Sequence, residues 1–312
     1  MSVSPAKSIH LAMTPLEWAF LILLSLLWGG SFFFVEIALR ELSPFTIVFV
    51  RLSFGALGLF GVMAYLGLSF PRDLRVWVSF FCLGLFNNAV PFGLLVWGQV
   101  HLASGVAAIF NATTPLFTLV IAHFFTADEK ITPMRLLGIC IGVCGVATLI
   151  GAKFDNGSGL VLLASCACLG AACSYGVAGV FARRFLASGI APMTAATGQV
   201  FAASILLLPL TLIFDQPWNL PVPNLETLAS LVAIGLLSTS LGYVLYFRIL
   251  TTAGATNLSL VTLLVPVSAI VLGVGILDEQ LLPKHIIGMT LIALGLITID
   301  GRVWRRIKEF QS

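Results

Sequence analysis

Apolar residues in this chain do not alternate with polar ones. They run on for long stretches and then stop at short polar turns. Ten such runs follow one another, at 16–39, 45–68, 74–98, 105–125, 133–151, 160–185, 192–214, 225–249, 255–277 and 283–303. A helix crosses the hydrocarbon of a bilayer with about 20 apolar residues, so each run predicts one crossing. Together they predict an all-α integral membrane protein of ten transmembrane helices. Proline marks many of the connections, at Ser43-Pro44, Phe70-Pro71, Thr132-Pro133, Ala191-Pro192 and Leu282-Pro283. The longest connection, 215–224, is too short for a domain.

The pattern repeats. DEKITPMRLLGICIGVCGVATLIG, from Asp128 to Gly151, returns 150 positions later as DEQLLPKHIIGMTLIALGLITIDG, from Asp278 to Gly301. An acidic turn, a proline at the first helical position and two glycines seven residues apart coincide without a gap, which marks a repeated building block. Looser echoes pair Trp28-Gly29 with Tyr175-Gly176, Pro44 with Pro192, Arg51 with Gln199, Gly84-Leu85 with Gly235-Leu236, and Pro115 with Pro266. The chain therefore divides into five-helix halves at 1–151 and 152–312. An odd number of crossings per half makes the second enter the membrane from the opposite side. Inverted halves of this kind rock about a site at the midplane in known transport folds.

Composition agrees with the span pattern: 59% of residues are hydrophobic and only 9% charged, against about 25% charged in soluble domains. The net charge of +3 is then a topology signal, with no bearing on nucleic acid. Lys7, Arg72, Arg75, Lys130, Arg135, Arg183, Arg184, Arg248, Arg302, Arg305, Arg306 and Lys308 fall on one side, and Arg40, Lys153 and Lys284 on the other. The positive-inside rule places both termini in the cytoplasm. All six cysteines lie in apolar runs and no histidines stand beside them, so they are read as packing residues and no metal or cofactor is expected.

WGGSFFFVEIAL and SPFTIVFVRL in the first half, with GYVLYFRIL and GATNLSLVTLLVPVSAIVLGVGILDEQLLPKHIIGMTLIALGLITI in the second, resemble the EamA-type members of the drug/metabolite transporter superfamily. The resemblance covers nearly the whole chain and is strongest over 241–301. It implies two inverted five-helix repeats around a central cavity, and export of small metabolites, often amino acids, across the bacterial inner membrane. The aromatic amino-acid exporters are the nearest in kind. Asp128 and Asp278 depart from the pattern, because many members have Gly before the Glu of that turn.

Polar side chains deep in a span face a cavity or another helix. Asn87, with Asn88 beside it, lies in the middle of the third span, and Asn111, Thr114 and Thr118 form a stripe on the fourth. Thr239, Tyr243 and Tyr246 do so on the eighth, and Ser259 and Thr262 on the ninth. These stripes are candidates for a substrate-lining surface. The same residue types also bond back to their own helix or hold two helices together. Trp28, Trp97 and Tyr175 add aromatic faces able to stack on a ring or hold a cation. Gly29, Gly30, Pro91, Pro115 and Pro266 are candidate hinges or packing notches. Arg51 and Glu36 are the charges set furthest into the spans. Their expected roles are an ion pair that reaches outward, or, for Arg51, capture of a substrate carboxylate near the exit.

Acids with a clear partner are absent mid-span, so the chain shows no proton relay, and facilitated flow is preferred to a proton-coupled drug or metabolite pump. Mid-span Lys or Arg clusters suited to phosphate are also absent. The four scattered histidines make no zinc-protease motif, and no filter-like loop suggests a channel, which sets aside an intramembrane enzyme or pore. The partners expected are a small zwitterionic or neutral solute and membrane lipid, with the protein a monomer or homodimer.

Overall fold

The computed structural model describes residues 13–126, 130–150, 158–186 and 189–300. Asp128, Glu129, Lys153 and the basic residues of both termini, Lys7, Arg302, Arg305, Arg306 and Lys308, lie outside them. Nine helices among the described residues are long and apolar enough to cross a membrane: α1 (Pro15–Ala38), α2 (Pro44–Tyr65), α3 (Leu74–Gln99), α4 (Ser104–Phe125), α5 (Pro133–Ile150), α6 (Gly159–Ala182), α7 (Pro192–Asp215), α8 (Leu225–Ala255) and α10 (Pro283–Asp300). The tenth, α9 (Val261–Ile276), is shorter. The ninth span therefore starts later than its run of apolar residues at 255. Gly254, at φ 80 and ψ 166, breaks the helix, and Ser259 and Leu260 turn the chain before α9 begins. Only glycine adopts that backbone without strain.

Helix starts follow the sequence closely. Thr14 caps α1 in a reciprocal capping box with Glu17, and Asp73 and Asn224 cap α3 and α8 through their side chains. Prolines occupy the first turn of α1, α2 and α7, where the missing N–H has no helical acceptor in any case.

Lipid offers little hydrophobic drive for helices to associate, so close packing of small residues carries the load. It also reveals the symmetry. A Cβ on Gly138 of α5 would stand 2.6 Å from the carbonyl oxygen of Gly295 on α10, and one on Gly145 would stand 2.8 Å from that of Gly288. Gly138 is the repeat-mate of Gly288 and Gly145 that of Gly295, so each glycine meets the mate of the other. Such reciprocity requires an antiparallel pair about a two-fold axis, with Pro133 and Pro283 at opposite ends of the bundle. A second reciprocal contact lies at the other limb of each repeat. Gly29 of α1 abuts Ser268 and Ala269 of α9, as Gly176 of α6 abuts Phe117 and Thr118 of α4. The halves are inverted repeats, and the outer faces of α5 and α10 expose Leu136, Leu137, Val143, Ile286, Ile287 and Leu294, as lipid-facing helices should.

Candidate functional site

Midway along α3 and α8 the helix widens. Leu85–Ala89 in α3 and Ala233–Leu241 in α8 are π-helical, and they lie at corresponding places in the two repeats. In α3, Pro91 has no N–H to give to the carbonyl four residues back, and Val90 bonds instead to the Leu85 oxygen. The Phe86 carbonyl takes the Ser174 hydroxyl of α6 at 2.7 Å. Single π turns inside α-helices gather at functional sites. These two carry Asn87 and Asn88 on one side and Ser238, Thr239 and Ser240 on the other.

Against them lie α2 and α7. Gly84 fits onto the carbonyl of Gln199, and its counterpart Gly235 onto the carbonyl of Arg51, so the α3–α7 and α8–α2 contacts are copies of one another. The polar side chains obey the same exchange. Arg51 Nε donates to Thr239 Oγ1 at 3.1 Å, while Asn87 Nδ2 donates to Gln199 Oε1 at 3.2 Å. Asn87 Nδ2 and Asn88 Nδ2 also converge on the Tyr243 hydroxyl, at 3.2 and 3.0 Å, which ties α3 to α8 across the two repeats. The Arg51 guanidinium carbon sits 3.8 Å from the centre of the Phe92 ring, a cation–π stack. Phe92 meets Tyr175 edge-on at 6.5 Å, and Trp28 lies 5.8 Å from Tyr246.

The expected Glu36–Arg51 pair is not made. Arg51 points along the α2–α8 contact and is 8% exposed. Glu36 leaves α1 on the face toward the end of α3, where Gln99 Nε2 approaches its carboxylate at 3.5 Å and Glu279 is close enough to repel it. A surface ion pair joins exposed Arg40 and Glu226 at 3.9 Å. Arg51 is thus a buried cation with aromatic and hydroxyl neighbours and no carboxylate partner among the described residues. It does not reach outward.

Of the candidate lining residues, Asn87, Thr239 and Tyr243 meet in this layer, and Trp28, Tyr175 and Tyr246 flank it. Trp97 lies elsewhere, packed on His101 near the end of α3. The stripes on α4 and α9 spend their hydroxyls locally: Thr114 donates to the Asn111 carbonyl, Thr118 to that of Thr114, and Thr262 to that of Ser259. Ser259 itself is exposed. Pro115 opens the second segment of α4, after a break at Ala112 and Thr113. Pro91 follows the α3 π turn, and Pro266 lies inside α9. Gly29 is a packing notch by its contacts, whereas Gly30 has room for a Cβ at ordinary distance. Asn88, named beside Asn87, also joins the layer. Two residues that complete the layer are not on the candidate stripes, Gln199 and Phe92. The echo of Arg51 at Gln199 is the signal for the first.

Ten helices in two inverted halves, joined at the middle by polar side chains from both, define a secondary-transporter architecture. The chain belongs to the EamA-like transporter family, whose model matches residues 16–151 and 162–299. It is 27% identical to the transporter YoaV of Bacillus subtilis, over 88% of this chain and 94% of that one. It is 24% identical to the "Probable amino-acid metabolite efflux pump" of Escherichia coli, over 93% and 97%. A solved crystal structure with 18% identity superposes at a TM-score of 0.65, covering 91% of this chain and 96% of its own.

Proposed function

We propose that the protein exports amino acids, aromatic ones among them, and related small metabolites by alternating access to a chamber at the Arg51–Tyr243 layer, down the substrate gradient. The observation that carries this reading is the set of cross-repeat contacts of Arg51, Asn87, Asn88 and Tyr243. A bond that joins the two halves at the axis about which they rock is remade in each state, and a small polar solute is the kind of molecule that competes for it. The name of the Escherichia coli relative points to the same substrate class. Purified protein in liposomes is expected to give saturable flux of labelled amino acids. Absence of flux across a broad amino-acid panel would remove the substrate class.

The half-buried Glu36, facing Glu279, Gln99 and Arg40, favours a second reading, in which export exchanges against protons. An imposed pH gradient that drives uphill amino-acid movement would select it over facilitated flow.

The charge asymmetry of the loops supports a bacterial inner-membrane orientation with both termini cytoplasmic. In a background without the native cysteines, Lys130→Cys is expected to react with an impermeant maleimide only from the cytoplasm, and Lys284→Cys only from outside. Labelling of both from one side refutes the orientation.

A further inference from the structure

The polar atoms at the centre do not balance among themselves. Tyr243 receives two N–H donors, from Asn87 and Asn88, so its oxygen is saturated as an acceptor and its own proton must be given elsewhere. The Arg51 guanidinium has five N–H donors and one bond, from Nε to Thr239. Donors are therefore in surplus beside a positive charge, which is the chemistry that holds a carboxylate. Two acceptors on the π turns are stranded. Asn88 Oδ1 and Ser238 Oγ are buried with no hydrogen-bond partner among the described residues, Asn88 at 0% exposure and Ser238 at 1%. Buried polar atoms left so are rare and each costs free energy until it is met.

From this imbalance we infer that the layer is a head-group site for a zwitterion: Arg51 and the Tyr243 hydroxyl take the carboxylate, and Asn88 Oδ1 takes the ammonium. The inference rests on the amino-acid reading above and narrows it. Recognition is of the α-amino and carboxyl groups, and the variable side chain points toward the Phe92–Tyr175 and Trp28–Tyr246 aromatic pairs, which fit many shapes. The site would then be broad in side chain and strict in head group.

The test uses the full-length protein in liposomes with L-phenylalanine as the labelled solute. Phenethylamine, which lacks the carboxylate, and 3-phenylpropionate, which lacks the ammonium, serve as competitors. Both are expected to compete on the order of 10- to 100-fold less well than unlabelled phenylalanine, the range that losing one charged hydrogen-bonding contact gives. Arg51→Gln should raise the KM for phenylalanine by a similar factor and erase the disadvantage of phenethylamine. Asn88→Ala should instead erase the disadvantage of 3-phenylpropionate alone. That crossed pattern is one a merely structural role would not produce. If wild-type protein moves phenylalanine but phenethylamine competes equally, or a folded Arg51→Gln keeps its KM, the assignment is overturned while amino-acid export stands. Failure of wild type to move any amino acid overturns export itself. Should Arg51→Gln not fold, the competition series on wild type decides alone, because it needs no variant.

Discussion

Gly138→Leu is expected to leave almost no folded protein in the membrane, whereas Gly61→Leu is expected to leave the yield unchanged. Both glycines lie in apolar helices. What differs is the neighbour. A Cβ at Gly61 has nothing within 4 Å, but one at Gly138 lies 2.6 Å from the Gly295 oxygen and 3.1 Å from the Ile299 nitrogen. Those are backbone atoms of α10 and cannot rotate away, so α5 and α10 would have to separate along their whole length. Overpacking that side chains can absorb costs about 1–3 kcal/mol, and a backbone collision exceeds what repacking relieves. Gly295→Leu should fail in the same way, since its Cβ would stand 2.6 Å from the Gly138 oxygen. Gly142→Ala presses on the Leu116 side chain, its terminal methyl carbon first at 2.5 Å, and should cost much less. Size-exclusion chromatography of fluorescently tagged variants in mild detergent measures the folded fraction. A monodisperse Gly138→Leu peak at wild-type height would mean that the reciprocal glycine pair does not hold the halves together.

The repeat was legible in the sequence because its causes are local. Pro133 and Pro283 start helices by fixing φ, and Gly138, Gly145, Gly288 and Gly295 recur because one close antiparallel contact demands all four. The span count was legible for the same reason, since bilayer thickness sets the length of an apolar run. What the sequence left open were contacts between helices. Arg51 stands well inside α2 and Glu36 near the same end of α1, and Coulomb attraction alone would join them. The rotation of α2 about its own axis, set by Gly55 and Gly235 at the α8 contact, sends Arg51 to Thr239 and Phe92 instead. The stripes on α4 and α9 recur every three or four residues, as the one on α8 does, and a spacing rule ranks them equally. The difference lies in backbone geometry: the π turn of α3 lets its amides reach α7 and α8, and that of α8 lets Thr239 bond the Ile234 carbonyl five residues back while accepting from Arg51, whereas on a regular α turn Thr118 bonds only the carbonyl four residues back.

Glu279→Ala is expected to lower the melting temperature by about 2–8 °C, and Glu279→Gln by roughly half as much. The Glu279 carboxylate accepts from the backbone N–H of Ser104 at 2.7 Å and of Gly105 at 3.2 Å, so it caps α4 of the other repeat from outside that helix. The first N–H groups of a helix have no internal acceptor and carry partial positive charge. A carboxylate placed there meets both needs, and its loss costs about 1–2 kcal/mol, which for a chain of this size corresponds to the stated shift at about 2–4 °C per kcal/mol. The glutamate is aimed by its turn. Asp278 takes φ 55, a left-handed conformation that aspartate tolerates, and the Glu279 N–H returns to the Gly273 carbonyl at 3.0 Å. Asp278→Gly should therefore keep the cap, and Asp278→Val, whose branched Cβ resists that conformation, should lose it and melt like Glu279→Ala. Fluorescence melts in detergent compare the four variants. Equal melting of Glu279→Ala and wild type would mean that the carboxylate is replaceable by water, and the contact between repeats at this end would then rest on packing alone.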